Sequence, residues 1–455
     1  MMMSDMTELE AMSEGLNRLV KIALDTGEAS TVEEAERIFA GYRMQIAVGP
    51  DVADSAVLQA ALLTAANCGA RAFLSGVSVV GAGGDLSVSI PGFARIEDAL
   101  TAFGARTADR IRPDLPTLVI GGCGADVGPC AVRATFADWC GGVVPAASGL
   151  RLAETGTFTP AGVLAGAIGV AEIFQSVRGG TPMACRRAVG LDLWDLHRDW
   201  LSGGSAPSPE RLPSEIWIVG MGNLGQAYLW TLGLLPYGRN AARLVLQDTD
   251  VVALSNLSTS MLTTRTMVGR KKTRAMAEWA EARGFETSIV ERDFAPNFAI
   301  AQREPSVALI GVDNALARQA VEAVGFGRVI EAGLGRGPQD FLGIDLHTFP
   351  ASRPAHEVWP QTGPSDADIT LPAYRAMLER SGDRCGTVRL AGRSIGAPFV
   401  GSAAAALAVG ELMRLCTGGR SYELVSCHLR DLRDFTAVVG LASQAFNPGS
   451  VAAAA

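Results

Sequence analysis

Three glycines, Gly220-Met-Gly222-Asn-Leu-Gly225, stand directly after the continuous apolar run EIWIVG (215–220) and open a stretch that reads as a helix. In a strand–turn–helix setting each glycine has its own task. The first turns the chain, the second lets a phosphate approach the backbone, and the third lets the helix pack closely. Free N–H groups at the helix start, near Asn223, would face that phosphate. The next apolar run, RLVLQ (243–247), ends in Asp248-Thr-Asp250, carboxylates suited to a ribose hydroxyl. The glycine triplet alone commonly marks an NAD(P) site, and for the two acids alone an acidic turn after a strand is the lesser alternative.

The residues that follow separate ATP from NAD. Ser255-Asn256-Leu257 comes first, then Val268-Gly269-Arg-Lys-Lys272 at a helix start, then VALIGVDN ending in Asp313-Asn314. A polyphosphate calls for cations and a metal. A Lys on a helix start and an Asp at the carboxyl end of a parallel strand meet that need, whereas hydride transfer has no use for the set.

The elements that must position these residues recur along the chain. With a shift of 239 residues, AGVLAGAIGVAEIFQSVRGG (161–180) aligns with VGSAAAALAVGELMRLCTGG (400–419), Glu172 meeting Glu411 and Gly179-Gly180 meeting Gly418-Gly419. LDLWDL (191–196) parallels CHLRDL (427–432), and PTLVIGG (116–122) parallels PSVALIG (305–311), the latter two reading as short buried strands. Two related α/β halves are expected, 49–205 and 206–440, joined through linker-like LSGGSAPSPERLP (201–213). Ahead of them lies a helical arm, 1–48, in which Thr31-Val-Glu-Glu34 is a capping-box pattern opening a helix through Phe39. The tail 441–455 is expected to be flexible. The first half has neither a glycine triplet nor an Asp-x-Asp, and is expected to be a catalytically inactive partner.

Composition excludes several other classes. With 455 residues, 48% of them hydrophobic and 19% charged, the chain has material for two or three folded domains. A net charge of −8 argues against nucleic-acid binding. The N-terminus has acids where a signal peptide needs positive charge. The apolar stretches 160–171 and 395–410 fall short of the roughly 20 residues a membrane span requires. No membrane partner and a cytoplasmic location are therefore expected. The eight cysteines contain no CxxC pair, so no zinc site is expected.

The string G-x-G-x-x-G, D-x-D, S-N-L, G-x-x-K, D-N, in this order, resembles the ubiquitin-activating enzyme superfamily, whose simpler members are ThiF and MoeB. The resemblance covers nearly the whole chain. It implies a Rossmann-like ThiF fold of the α/β class, a pseudo-dimer of an inactive and an active adenylation domain. Gly220, Gly222 and Gly225 would pass under the phosphates of ATP, Asp248 and Asp250 would hold the ribose side, and Asn256 and Lys272 the phosphates. Asp313 would bind Mg²⁺ and Asn314 would shape the site. The family also brings an arginine from the other half's N-terminal helix. GYRMQI (41–46) matches that segment, with Arg43 as candidate through its Arg-x-Gln pattern with Gln45, and Arg37 in reserve. The family's Arg-Gln pair after S-N-L is replaced here by Thr259-Ser260, so Arg265, Arg270 or Lys271 is expected to substitute.

Members that pass on their cargo carry a nucleophilic cysteine in a segment crossing over the substrate tail. Here that segment spans 335–394, and Cys385 is its one cysteine. Arg384 and Arg389 nearby would favour the thiolate, although a packed structural thiol is the alternative. The arrangement resembles the activating enzymes of bacterial ubiquitin-like conjugation operons, which are linked to antiphage defence. The implied partners are a ubiquitin-like protein with a C-terminal Gly and a conjugating enzyme. Adenylation of a peptide or sulfur-carrier protein without a thioester, an NAD(P)-dependent oxidoreductase and a catalytically dead binding scaffold are the alternatives.

Overall fold

A computed structural model describes residues 14–124, 126–203, 206–359, 369, 371–440 and 448–454, with only the backbone of Cys385. The first half builds one sheet from β1 (Met44–Val48), β2 (Val77–Val80), β3 (Arg106–Thr107), β4 (Thr117–Ile120), β5 (Ala131–Ala137), β6 (Cys140–Pro145) and β7 (Val189–Asp192). After the short β8 (Arg211–Pro213), the second half builds another. Its strands are β9 (Glu215–Val219), β10 (Arg243–Gln247), β11 (Glu286–Val290), β12 (Val307–Ile310), β13 (Arg328–Leu334), β14 (Gly343–Phe349), β15 (Tyr422–His428) and β16 (Thr436–Val439). The orders are β3-β2-β1-β4-β5-β6-β7 and β11-β10-β9-β12-β13-β14-β15-β16. In each sheet the first five strands run parallel and the remainder antiparallel. The second sheet thus repeats the first strand for strand and adds one.

The helices used below are α1 (Lys21–Asp25), α2 (Val32–Phe39), α3 (Ala56–Ala72), α4 (Thr159–Arg178), α5 (Asn223–Leu234), α6 (Lys272–Arg283), α7 (Pro372–Ser381), α8 (Arg384–Ala391) and α9 (Pro398–Thr417). The shift read from the sequence carries α4 onto α9 end for end, and both stop at a left-handed glycine, Gly179 at φ 72° and Gly418 at φ 75°. At 20 residues each, these helices are longer than the apolar stretches suggested. Both are buried at the junction of the halves, packed on each other, with α3 against α4 and α5 against α9. Small residues make such contact possible. A Cβ at Gly162 would come within 2.2 Å of the Val57 carbonyl, and one at Gly166 within 2.4 Å of that of Ala61.

Each long helix carries one buried glutamate that grips the chain leading to the next strand. Glu172 accepts the Cys185 N–H at 2.8 Å. Glu411 accepts the Ser421 hydroxyl at 2.6 Å and the Tyr422 N–H at 3.2 Å. An acid in an apolar helix is tolerable because its acceptors are filled and a cation lies beside it, Arg187 at 3.3 Å for Glu172 and Arg414 for Glu411.

Two expectations change. MQIAV (44–48) is not part of the arm but the opening strand of the first sheet, because its five side chains are all buried. The arm keeps its capping: Thr31 Oγ1 accepts the Glu34 N–H at 3.1 Å, and Glu34 reaches back to the Ser30 N–H at 2.8 Å. The end of the chain is not loose throughout, since Ser450–Ala452 forms β17, antiparallel to β8 on the linker. Residues 441–447 and 455 lie outside the described residues.

Candidate active site

At the carboxyl ends of β9, β10 and β12, where the strand order reverses, lies a cavity of about 870 Å³, within the range of cofactor sites. Each glycine of the triplet has the geometry of its expected task. Gly220 turns at φ +86°, where an L side chain is strained. Gly222 has open space above it, and a Cβ on Gly225 would stand 1.8 Å from the Gly220 carbonyl. Gly225 is therefore a packing residue beside the cavity rather than in its wall. Helix α5 starts at Gly222 without a side-chain cap, leaving its first N–H groups available at the cavity.

The structure brings Gly220, Gly222, Asp248, Asp250, Asn256, Lys272, Asp313 and Asn314 into this one wall. Their present bonds differ in kind. Asp248 is already engaged, accepting the Met221 N–H at 2.6 Å and the Asp250 N–H at 2.7 Å, so it braces the glycine turn. Asp250, with 68% of its side chain exposed, is the accessible acid of the pair and holds the Lys272 ammonium at 2.7 Å. Asn256 caps its own turn through the Ala253 N–H at 2.8 Å. Asn314 caps the following short helix through the Leu316 N–H at 2.9 Å. The Asp313 side chain is exposed, and its backbone carbonyl accepts from Arg336.

Arg43 is not brought here. It stands exposed just before β1, in the field of Asp114, and Gln45 is consumed inside the first half by the Arg112 carbonyl at 2.6 Å and Thr117 Oγ1 at 2.8 Å. Arg37 is exposed on α2 and does not line the cavity. The arm instead contributes Arg18, whose backbone N–H donates to Ser258 Oγ at 3.2 Å. The Arg18 side chain lines the cavity together with Arg393 and Thr259. Burial lowers the Arg18 pKa to about 10, with the Arg393 charge pushing the same way and Glu14 opposing. Two arginines thus sit beside Thr259, and Arg393 is paired with Glu14 of the arm. The candidates for that cation lie elsewhere: Lys271 donates to the Thr249 carbonyl at 2.5 Å, Arg270 pairs with Glu278, and none of Arg265, Arg270 and Lys271 lines the cavity. Sequence reasoning missed Arg18 because it lies outside any motif, in the polar gap of LNRLV.

The crossover segment meets the cavity at both ends, Gly335-Arg336 and Gly392–Gly396. The two ends are joined by the Ile395 N–H donating to the Arg336 carbonyl at 3.0 Å. Cys385 is the second residue of α8, which Asp383 caps through the Gly386 N–H at 2.8 Å. Its side chain is outside the described residues. Elsewhere, Cys68, Cys140 and Cys427 are buried and Cys416 is half-buried.

The residues present fit a magnesium-bound nucleoside polyphosphate. Lys272, Arg18, Arg336 and Arg393 offer positive charge, and Val219, Phe294, Val312 and Leu316 offer apolar surface for a base. One exposed carboxylate, Asp313, suffices for a Mg²⁺ that takes its other ligands from phosphates and water. No group of three or more His, Cys, Asp or Glu is placed to hold a metal among the described residues. In the first half a carboxylate stands at the matching place. Asp51, two residues after Gly49, accepts the Gly122 N–H at 2.7 Å and meets Arg151 at 3.1 Å. A carboxylate of the chain itself thus lies on the backbone where, in the second half, the glycine turn stands open.

The halves also support one another across the junction. Arg71 of α3 donates to the carbonyls of Leu257 at 2.7 Å, Met261 at 2.8 Å and Thr263 at 3.2 Å, and so props the Ser255–Leu257 turn from behind. Trp230 of α5 donates to Thr64 of α3 at 2.9 Å.

The chain is thus a duplicated α/β protein with an open cleft at the strand-order reversal of its second sheet. Residues 43–193 match the family model described as the BilD N-terminal domain, and residues 212–419 the BilD C-terminal domain. The bacterial E1-like protein BilD of Collimonas sp. (strain OK412) is 41% identical over 426 residues, 92% of each chain. The chain belongs to this family of bacterial E1-like proteins. Among solved structures, E. coli MccB aligns with half of the chain and 62% of its own length, at TM-score 0.33 and 12% identity. PaaA aligns with half of the chain and 65% of its own length, at TM-score 0.34 and 18% identity. The chain thus spans less than two thirds of the length of these two structures.

Proposed function

We propose that this chain activates the C-terminal glycine of a ubiquitin-like protein with ATP, passes it to Cys385 as a thioester, and hands it to a conjugating enzyme. The relationship of this chain to an E1-like protein supports the class of reaction. The observation that carries the finer reading is the crossover segment: the stretch bearing Cys385 leaves from, and returns to, the wall of the nucleotide cavity.

The first step needs no general base, because a terminal carboxylate is ionised at neutral pH. That carboxylate attacks the α-phosphorus of ATP, pyrophosphate departs, and an acyl-adenylate remains. The chain's part is to hold the two reactants in line and to offset the charge that builds on the leaving phosphates. The N–H groups of α5, Lys272, Arg18 and Arg393 are the groups for this task. Asp250 would take the ribose once Lys272 turns to the phosphates, while Asp248 holds the glycine turn in shape. Asp313 would hold Mg²⁺, which supplies further charge compensation at the phosphates. In the second step the Cys385 thiolate attacks the acyl carbon and AMP leaves. In a bacterial cytoplasm, such a conjugation system would serve antiphage defence.

The test is a non-reducing gel of the protein with Mg-ATP and a ubiquitin-like protein encoded beside it, run with Cys385→Ala and alongside ATP–pyrophosphate exchange. The reading expects exchange in both proteins and an ATP-dependent, thiol-sensitive shift in the unaltered protein alone. Exchange without a shift in either would leave an adenylate-forming enzyme. A shift that survives in Cys385→Ala would move the nucleophile elsewhere.

A further inference from the structure

Far along the chain from the cleft residues, the first half brings together two thiols that the proposed chemistry does not use. Cys130 stands immediately before β5 and is half-buried, while Cys185 lies buried in the loop that follows α4. Both lie against one face of α4: Ser176 Oγ is 3.3 Å from Cys130 Sγ, and Glu172, one turn earlier, receives the Cys185 N–H. The exposed Arg186 adds its charge on the Cys130 side.

The backbone at Cys185 is unusual. At φ +62° it occupies the left-handed region that non-glycine residues avoid. It is held there by the buried Glu172 carboxylate on its N–H, at 2.8 Å. A buried acid and a strained residue therefore fix the loop at Cys185 one helical turn from the serine that Cys130 meets.

We propose that Cys130 and Cys185 form a reversible dithiol–disulfide site, oxidised by a peroxide and closing a staple between the start of β5 and the loop after α4. The step balances with hydrogen peroxide as oxidant. The Cys130 thiolate attacks one peroxide oxygen and water is lost, leaving a sulfenic acid. The Cys185 sulfur then displaces a second water, so two thiols and one peroxide give one disulfide and two waters.

The division of labour follows from the surroundings. Contact with Cys185, aided by Ser176 and Arg186, holds the Cys130 thiol below the usual thiol range. The same contact pushes Cys185 up, so it is the resolving partner rather than the first to react. Burial raises Cys68, Cys416 and Cys427 to about 12, as it does Cys140 together with Asp192. Those thiols are poor nucleophiles by comparison.

The experiment exposes the full-length protein to stoichiometric hydrogen peroxide, alkylates the remaining thiols and maps the peptides by mass spectrometry. The expected product is a peptide pair linked through Cys130 and Cys185, lighter by two hydrogens and separated by dithiothreitol. In Cys185→Ser, Cys130 is expected to stop at a sulfenic acid that dimedone traps. In Cys130→Ser, Cys185 is expected to stay reduced. Absence of the linked pair in the unaltered protein, or its appearance in no greater yield than links among the other cysteines, overturns the proposal. So does Cys130 advancing to the sulfinic acid without linking. The mapping of the unaltered protein decides the matter even if a variant fails to fold.

Discussion

Arg18 of the arm donates its backbone N–H to Ser258 Oγ at 3.2 Å, across 240 residues of chain. This contact seats the arm beside the S-N-L turn, and Arg18 and Arg393 line the cavity together with Thr259. Arg18→Ala is expected to slow ATP–pyrophosphate exchange by on the order of 10²-fold, the usual cost of losing one charge-stabilising donor. Arg43→Ala, exposed before β1, is expected to leave the rate unchanged. Equal losses from both variants would return the role to Arg43.

Lys272 is held by Asp250 at 2.7 Å and stands 3.9 Å from Asp248. Because Asp250 is largely exposed, this pair adds little to folding, and the proposed role of Lys272 is to place a cation over the phosphates. Lys272→Met is expected to weaken ATP binding by roughly 1.5–3 kcal/mol, the range of a charge-assisted hydrogen bond. Titration calorimetry with ATP reads this directly. The melting temperature without nucleotide should move little.

The glycine turn, both acids after β10, Lys272 and Asp313 were legible because each follows a strand or opens a helix, and a local pattern fixes where it goes. The duplication was legible because α4 and α9 keep the same length, the same buried glutamate and the same terminal glycine. Arg43 was misplaced for a physical reason. Met44–Val48 is only five residues long and buried on every side, and such a run has no alternation to distinguish a central strand from a buried helix turn. Arg18 was invisible for the opposite reason, since its partner Ser258 is brought close only by the packing of the arm on the second half. Asp248 shows a third limit. The sequence places its carboxylate at the site, but the Met221 N–H claims it.

His428 offers a pH test of the second sheet. Its Nδ1 accepts the Arg430 N–H at 3.1 Å while Nε2 meets the Gln339 carbonyl at 3.3 Å, an arrangement that requires the neutral ring. Burial lowers its pKa, the Arg430 charge adds to this, and the Gln339 carbonyl and Asp340 oppose. The unfolded chain therefore takes up this proton first, at about pH 6.5. Stability from this group is complete above that pH and falls as the pH drops toward the lower folded value. Melting temperatures followed from pH 7.5 to 5, as trial conditions of about that span, should decline less steeply in His428→Gln. Parallel declines in the two proteins would contradict this.

The two buried glutamates occupy matching places, yet their loss should differ. Arg414 is fully buried, and among the described residues its one carboxylate partner is Glu411; it also meets the carbonyls of Leu193 and Arg420 and the face of Tyr422. Glu411→Ala strands that charge, and breaking a buried pair in this way costs about 3–5 kcal/mol. Arg187 is better provided for, because Asp431 of the second half stands at 3.4 Å and the Arg430 carbonyl also receives it. Burial in addition raises the Glu172 carboxyl, with Asp431 adding to the shift, so its ionised form is held at a cost at neutral pH. Glu172→Gln is therefore expected to be close to neutral in thermal melts, and Glu411→Ala strongly destabilising. If the two prove equally costly, the cross-junction partner of Arg187 carries no weight.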